Sequence, residues 1–297
     1  MRKIIFAFLI TLLVLVLAAI AEASLDFHGI ADELDAFDMS TGSARPAPLV
    51  SPYLYDFSLD GRLPEAADGE SKSPYWWLNS GALMISEGGK GKTIQGKLWK
   101  YSKWRVLYAQ SNPKDTDNGY HPQNIFRLVG RSKWLDYSQQ AYFRVTKGNF
   151  SDSPNRNESN GLLLMSRYSD SDNLYYAGIR VDGSAVIKKK KGGVYHTFSQ
   201  TEKFFSGRDY DRETNPSLIP GNTWIGLRSE IKNEAGGVSI KLYVDKGKTG
   251  KWTLATEAFD DGLSYGGEAF LKSGYAGIRT DFMDVEFDNY KLISIGE

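Results

Sequence analysis

The chain has 297 residues, with 36 Lys plus Arg balanced by 36 Asp plus Glu, and no cysteine. Zero formal net charge leaves no global field toward nucleic acid, and the absence of cysteine excludes a disulfide framework. Such a chain is held by its core or by a metal, and its aromatic content of 13% supplies flat rings for packing and for stacking on ligands.

In chain order, a basic start (MRK) precedes the uncharged run IIFAFLITLLVLVLAAI, which ends at Ala21-Glu22-Ala23 before Ser24. A basic region, an apolar run and a small-residue site describe a cleaved secretory signal over 1–23. An uncleaved anchor is the alternative, because the run is nearly long enough to span a bilayer. Either reading exports the rest of the chain, with no stable membrane insertion once the signal is cut, to a secreted or extracellular location, with the periplasm or the cell surface as alternatives. Residues 24–52 are polar, acidic and then Pro-rich, without an apolar period, which is the composition of a flexible lead.

From 53 to 297 short alternating apolar runs recur between turn signals, the pattern of one all-β domain. The period of two assigns faces. Phe126 and Leu128 share one face and Gln123, Ile125 and Arg127 the other. Ala141, Phe143 and Val145 point in, with Tyr142 and Arg144 out. Tyr175, Ala177, Ile179 and Val181 oppose Tyr176 and Arg180 around the hairpin residues Asp182-Gly183. Ile225, Leu227 and Ile231 oppose Trp224, Arg228 and Glu230. Val238, Ile240, Leu242 and Val244 oppose Lys241 and Tyr243. Ala276 and Ile278 oppose Tyr275 and Arg279, and VEFDNYKL closes the domain. The run Lys188 to Lys191 must alternate between faces and reads as a solvated hairpin end.

YYAGIRVDGSAVIKKKKGG, WIGLR, SIKLYVDKGKTGKW, GYAGIRTD and FDNYKL, in that order, resemble the concanavalin A-like (laminin G-like) lectin and glucanase superfamily, in the form of bacterial extracellular jelly-roll proteins. The resemblance implies a two-sheet antiparallel β-sandwich whose concave sheet holds a glycan. Its members include lectins, carbohydrate-binding modules, glycoside hydrolases and polysaccharide lyases. The E-x-D-x-E strand of the laminarinase-type hydrolases, which supplies a retaining carboxylate pair, is absent. The alternating acids Asp284, Glu286 and Asp288 lie on the terminal strand, expected along an edge or on the convex side. Arg228-Ser229-Glu230-Ile231-Lys232 is similar to one motif of jelly-roll alginate lyases, His121-Pro122-Gln123 carries the Gln and His of a second in reversed order, and Tyr176-Ala177-Gly178-Ile179 loosely echoes a third, with a different order along the chain. Those enzymes neutralise a uronate carboxylate and remove the C5 proton with Tyr or His.

Two functions follow as expectations: a polysaccharide lyase acting on an acidic, uronate-containing glycan, or a noncatalytic lectin-like protein using the same face. His121 and Tyr176 are the acid/base candidates. Gln123, Arg127, Tyr142, Arg180, Trp224 and Arg228 are the substrate-binding candidates, since guanidinium grips carboxylate while rings stack on sugar. Outward Arg also fits plain solvated surface, and His121 also fits a loop histidine. His196, beside Tyr195, is a further groove candidate. The resemblance also implies a structural calcium held by Asp288 and Asp56, with no organic cofactor. The partner is a polysaccharide, not nucleic acid, and the protein is expected to be a monomer.

Overall fold

A computed structural model describes residues 49–67, 70–202 and 204–296. The signal over 1–23 and the lead as far as residue 48 lie outside the described residues.

The elements in order are β1 (Tyr53–Tyr55), β2 (Gly61–Pro64), β3 (Trp76–Ser80), β4 (Leu83–Ser86), β5 (Gly91–Lys92), α1 (Lys103–Ser111), β6 (Ile125–Trp134), β7 (Tyr137–Gly148), β8 (Gly161–Asp170), β9 (Asn173–Arg180), β10 (Ala185–Lys191), β11 (Val194–Thr201), β12 (Trp224–Glu234), β13 (Gly237–Asp245), β14 (Thr253–Asp260), β15 (Gly274–Asp281) and β16 (Met283–Ser294). They form two antiparallel sheets. One runs β14-β13-β12-β7-β16-β5-β4-β2, with β1 also pairing β16, and the other runs β11-β10-β9-β8-β15-β6-β3. The two-sheet sandwich expected from the alternation is the observed fold. The expected inward residues of β6, β7, β9, β12, β13 and β15 all enter one core between the sheets. The Asp182-Gly183 turn is present, with Gly183 at φ +82, a conformation that favours glycine.

Two expectations need correction. Of the two places expected for it, an edge or the convex side, β16 does not take the edge. It lies between β7 on one side and β5 and β1 on the other, so its long register with β7 anchors the nine-stranded sheet. The Lys188–Lys191 run is not uniformly solvated. Ala185, Ile187 and Lys189 of β10 share the inward face, and Lys189 is 0% exposed. Its ammonium pairs with Asp260 Oδ2 at 2.8 Å and donates to the Gly267 carbonyl at 2.5 Å. Tyr175 donates to the same carboxylate oxygen at 2.5 Å. A buried charge persists only when paired and hydrogen-bonded in this way.

β8 runs between β9 and β15 near the middle of its sheet, and both of its faces are covered. Leu162 and Leu164 enter the core, while Leu163 and Met165 join Val129, Tyr168, Leu174 and Tyr176 in a second buried cluster on the outer face. That cluster forms the floor on which the site below is built.

Candidate functional site

The site follows from strand register. On β9, Tyr176 points outward because Tyr175 and Ala177 point in. β10 sets Lys188 opposite Tyr176, and β11 sets Tyr195 opposite Lys190. On β15, Arg279 lies between Leu163 of β8 and Arg127 of β6. These side chains meet over the outer face of the seven-stranded sheet. The Tyr176 and Tyr195 rings stack with centroids 6.1 Å apart and planes at 26°. Arg279 Nη1 donates to Tyr176 Oη at 2.7 Å and to Tyr195 Oη at 3.4 Å, while its Nε donates to Asp281 Oδ1 at 2.8 Å.

A groove of about 410 Å³ opens above them. Leu163, Tyr176, Lys188, Tyr195 and Arg279 line it from the sheet, and Asp115, Asn155, Asn157 and Ser159 line it from loops. The loops are locked together. Asp115 accepts from Ser153 Oγ at 2.5 Å and from Asn155 Nδ2 at 3.0 Å, and Asp117 accepts from Ser151 Oγ at 2.6 Å. The rim is therefore held in place by the protein itself.

Charge in the groove is uneven. Arg279 is committed to Asp281, and the pair holds the guanidinium protonated despite its burial. Lys188 makes no hydrogen bond or ion pair among the described residues. Burial, with Arg180 and Arg279 close by, outweighs the opposing fields of Asp281 and Asp182 and pushes its pKa below the ordinary lysine value. Burial raises the Tyr176 phenol, against the opposing field of Arg279. Burial would raise Tyr195 too, but Arg279 and Lys190 outweigh it and hold that phenol below its ordinary value. A half-buried ammonium in no direct ion pair can take an anion, stacked rings offer a face to a pyranose, and rim amides and carboxylate can bind hydroxyls.

The sequence-predicted residues are dispersed. Tyr176 lines the groove. Arg127 and Arg180 share its face, but both are engaged: Arg127 donates to Asn79 at 2.8 Å, and Arg180 pairs with Asp182 at 3.0 Å and donates to Gln200 at 3.1 Å. Tyr142, Trp224 and Arg228 lie on the outer face of the other sheet, because β7 and β12 belong to it. Gln123 is buried, donating to the Gly96 carbonyl and to Asp284 at 2.8 Å each. His121 is not among the groove-lining residues; its Nδ1 bonds Asp117 Oδ2 at 2.6 Å within the loop before β6. His196 sits opposite Lys189 and turns away from the groove, toward Gly266.

The expected calcium ligands do not form a set. Asp56 bonds the amide of Ser58 at 3.0 Å, and Asp288 is ion-paired with Lys248. Among the described residues no group of three or more His, Cys, Asp or Glu is arranged to hold a metal. The donors present at Asp56 and Asp288 do not fit calcium, which takes six to eight oxygens.

Lys188, Tyr195 and Arg279 are the residues that carry the site beyond Tyr176. Their signal was available in the alternation of β10 and β11, which forces Lys188 and Tyr195 onto the side of Tyr176. What alternation does not reveal is which of two outward faces has a rim.

No family model matches the chain, and no curated protein matches it. Among solved structures it is similar to a carbohydrate-binding module from Bacillus subtilis, with 14% identity, TM-score 0.45, and coverage of 74% of this chain and 95% of that one. It is also similar to winged bean acidic lectin complexed with methyl-α-D-galactose, with 7% identity, TM-score 0.47, and coverage of 82% and 97%. A third is a GH43 protein from Bacillus licheniformis, with 11% identity and TM-score 0.46, where 85% of this chain matches 41% of that one. The sandwich itself is established by the strand pairing above, and the chemistry of the groove by its own side chains.

Proposed function

We propose that this is an exported carbohydrate-binding protein whose groove on the seven-stranded sheet takes an acidic glycan. The observation that carries the reading is Lys188: a half-buried cation in no direct ion pair among the described residues, its nearby acids Asp281 and Asp182 being paired with Arg279 and Arg180, beside a stacked tyrosine pair and beneath a rim of Asn, Ser and Asp. The uronate carboxylate would meet Lys188, the sugar face would lie on Tyr195, and hydroxyls would bond the rim. Retardation of the protein in gels cast with uronans, set against gels cast with neutral glucans and mannans, tests this. Selective retardation by uronans is expected, and equal mobility in all gels sinks it.

One observation favours a second reading, β-elimination. Tyr195 combines a lowered phenol pKa with an Oη beside Arg279, the properties of a base that removes the C5 proton while cations neutralise the carboxylate. Tyr176, raised by burial and accepting from Arg279, is the less apt base of the two. Ultraviolet absorbance of an unsaturated uronate product separates the readings. Binding without any absorbance rise leaves a noncatalytic glycan-binding protein.

A further inference from the structure

Between Glu87 and Asp115 the sequence has no Asp or Glu, yet seven Lys or Arg fall there, in a chain of zero net charge. Lys90 and Lys92 are answered by acids from outside the stretch, Glu286 at 3.9 Å and Glu87 at 2.6 Å. The middle, KLWKYSKWRVL, is the distinctive part. It leads into α1, which is fixed to the body by Tyr108. That phenol bonds Glu65 and accepts from the Gly81 amide, and its ring packs with Ala82 and Ile94.

The other side of this segment is outward. Tyr101 is 58% exposed, Leu107 50% and Val106 42%. The cations sit against rings: Lys100 lies 4.6 Å from the Tyr101 centroid, Lys103 5.3 Å from Trp104, and Arg105 4.8 Å from Tyr120. Lys97, Lys100, Tyr101, Lys103, Val106 and Leu107 are therefore exposed together on this segment, while Leu98 and Trp104 pack inward against the Tyr108 cluster.

We propose that the segment from Lys97 to Leu107 docks the protein on an anionic lipid surface. Lysines near such a surface are drawn to its phosphates, and Trp and Tyr settle at headgroup level. Val106 and Leu107 decide between lipid and glycan. Branched aliphatics gain nothing from a hydrated sugar, whereas the acyl boundary removes them from water. The uncharged apolar run of the leader would hold the domain at the same surface if retained. No helix among the described residues is long and apolar enough to cross a membrane. The proposal is independent of the groove.

The test is flotation of the full chain with vesicles of phosphatidylcholine alone and of phosphatidylcholine with phosphatidylglycerol. The leader begins with the basic MRK and itself favours anionic lipid, so the excess is compared between wild type and variants that carry the same leader. The expected result is an excess on the anionic vesicles that high salt abolishes. Removing one lysine should lower the excess partition about fivefold, so K97E/K103E should erase it. Leu107→Ser should weaken it at unchanged charge. K232E/K241E, the same charge change on β12 and β13 of the nine-stranded sheet, should leave it intact, with near-ultraviolet circular dichroism confirming the fold of each variant. No excess on anionic vesicles overturns the proposal, as does an excess unchanged in K97E/K103E. Salt-sensitive capture by a soluble acidic glycan without any vesicle excess also overturns it, assigning the segment to glycan instead.

Discussion

The two outer faces of the sandwich use the same residue types and end in different states. On the nine-stranded sheet, Arg144 pairs with Glu286, Lys248 with Asp288, and Arg228 with Glu230 at 3.6 Å. The rings lie between these cations: Trp224 beneath Arg144 and Lys248, and Tyr243 and Trp252 beneath Arg228. Gly226 makes room for this layer, since a Cβ there would stand 2.7 Å from the Tyr142 ring and 2.8 Å from Trp252. The cations that frame these rings, Arg144, Lys248 and Arg228, are answered locally. On the seven-stranded sheet Arg279 and Arg180 are answered by Asp281 and Asp182, but Lys188 is not. Loops also rise beside that face to form a rim. Arg and Tyr on a strand thus make a surface when their charges are satisfied within the face. They make a site when one charge is left over in a depression.

The largest expected effect falls between the faces. Asp260→Ala would leave the Lys189 ammonium buried without a partner, and should cost about 3–5 kcal/mol of stability, read in urea unfolding. Lys189 fixes the register that turns Lys188 outward, so a stable and fully binding D260A variant would break the account of how the groove is built. Next, Lys188→Met removes the unanswered charge without orphaning a partner. Affinity for an acidic glycan should fall roughly 10–100-fold in calorimetry, with the melting temperature unchanged or raised.

The same lysine gives a pH signature. Its folded pKa is depressed, and the protonated form binds an anion. Affinity should therefore fall as pH rises through a midpoint below the ordinary lysine value of about 10.4, and Lys188→Arg should carry binding to higher pH. A pH-independent affinity across that range would detach Lys188 from the ligand. Tyr195→Ala should weaken binding by about 3–10-fold through the lost ring face. Smallest of all, Trp224→Ala and Arg228→Ala should leave glycan affinity within about twofold and cost about 0.5–1 kcal/mol of stability each, the scale of an exposed cation–π contact. A large loss of binding in either variant would move the site to the other sheet.

The alternating strands were legible because each has one buried face. Phe126, Ala177, Leu227 and Ile278 entered the core as their period required. β8 was harder to read from GLLLMSRYSD, because a strand buried on both faces shows a continuous apolar run in place of alternation. The fate of Lys189 was hidden for a different reason. Its partner Asp260 lies at the end of β14, in the other sheet, and sequence spacing does not announce a contact across the core. The candidate site was legible only in part. Alternation placed Tyr176, Arg180 and Trp224 outward, which is where they are, but outward on a sandwich has two meanings. Sheet order decides between them, and it sends Trp224 and Arg228 to one side and Tyr176 and Arg279 to the other. His121 and Gln123 were legible as chemically capable residues, yet the loop before β6 consumes both in bonds to Asp117 and Asp284.

The most direct test of the central claim compares one oligosaccharide in two forms, a uronate oligomer and the same oligomer with its carboxylates reduced to alcohols, titrated against the wild-type protein and Lys188→Met. The wild type should bind the uronate form at least about tenfold more tightly, and Lys188→Met should bind the two forms alike. Equal affinity of the wild type for both forms, or a preference that survives in Lys188→Met, would contradict an anion site in the groove.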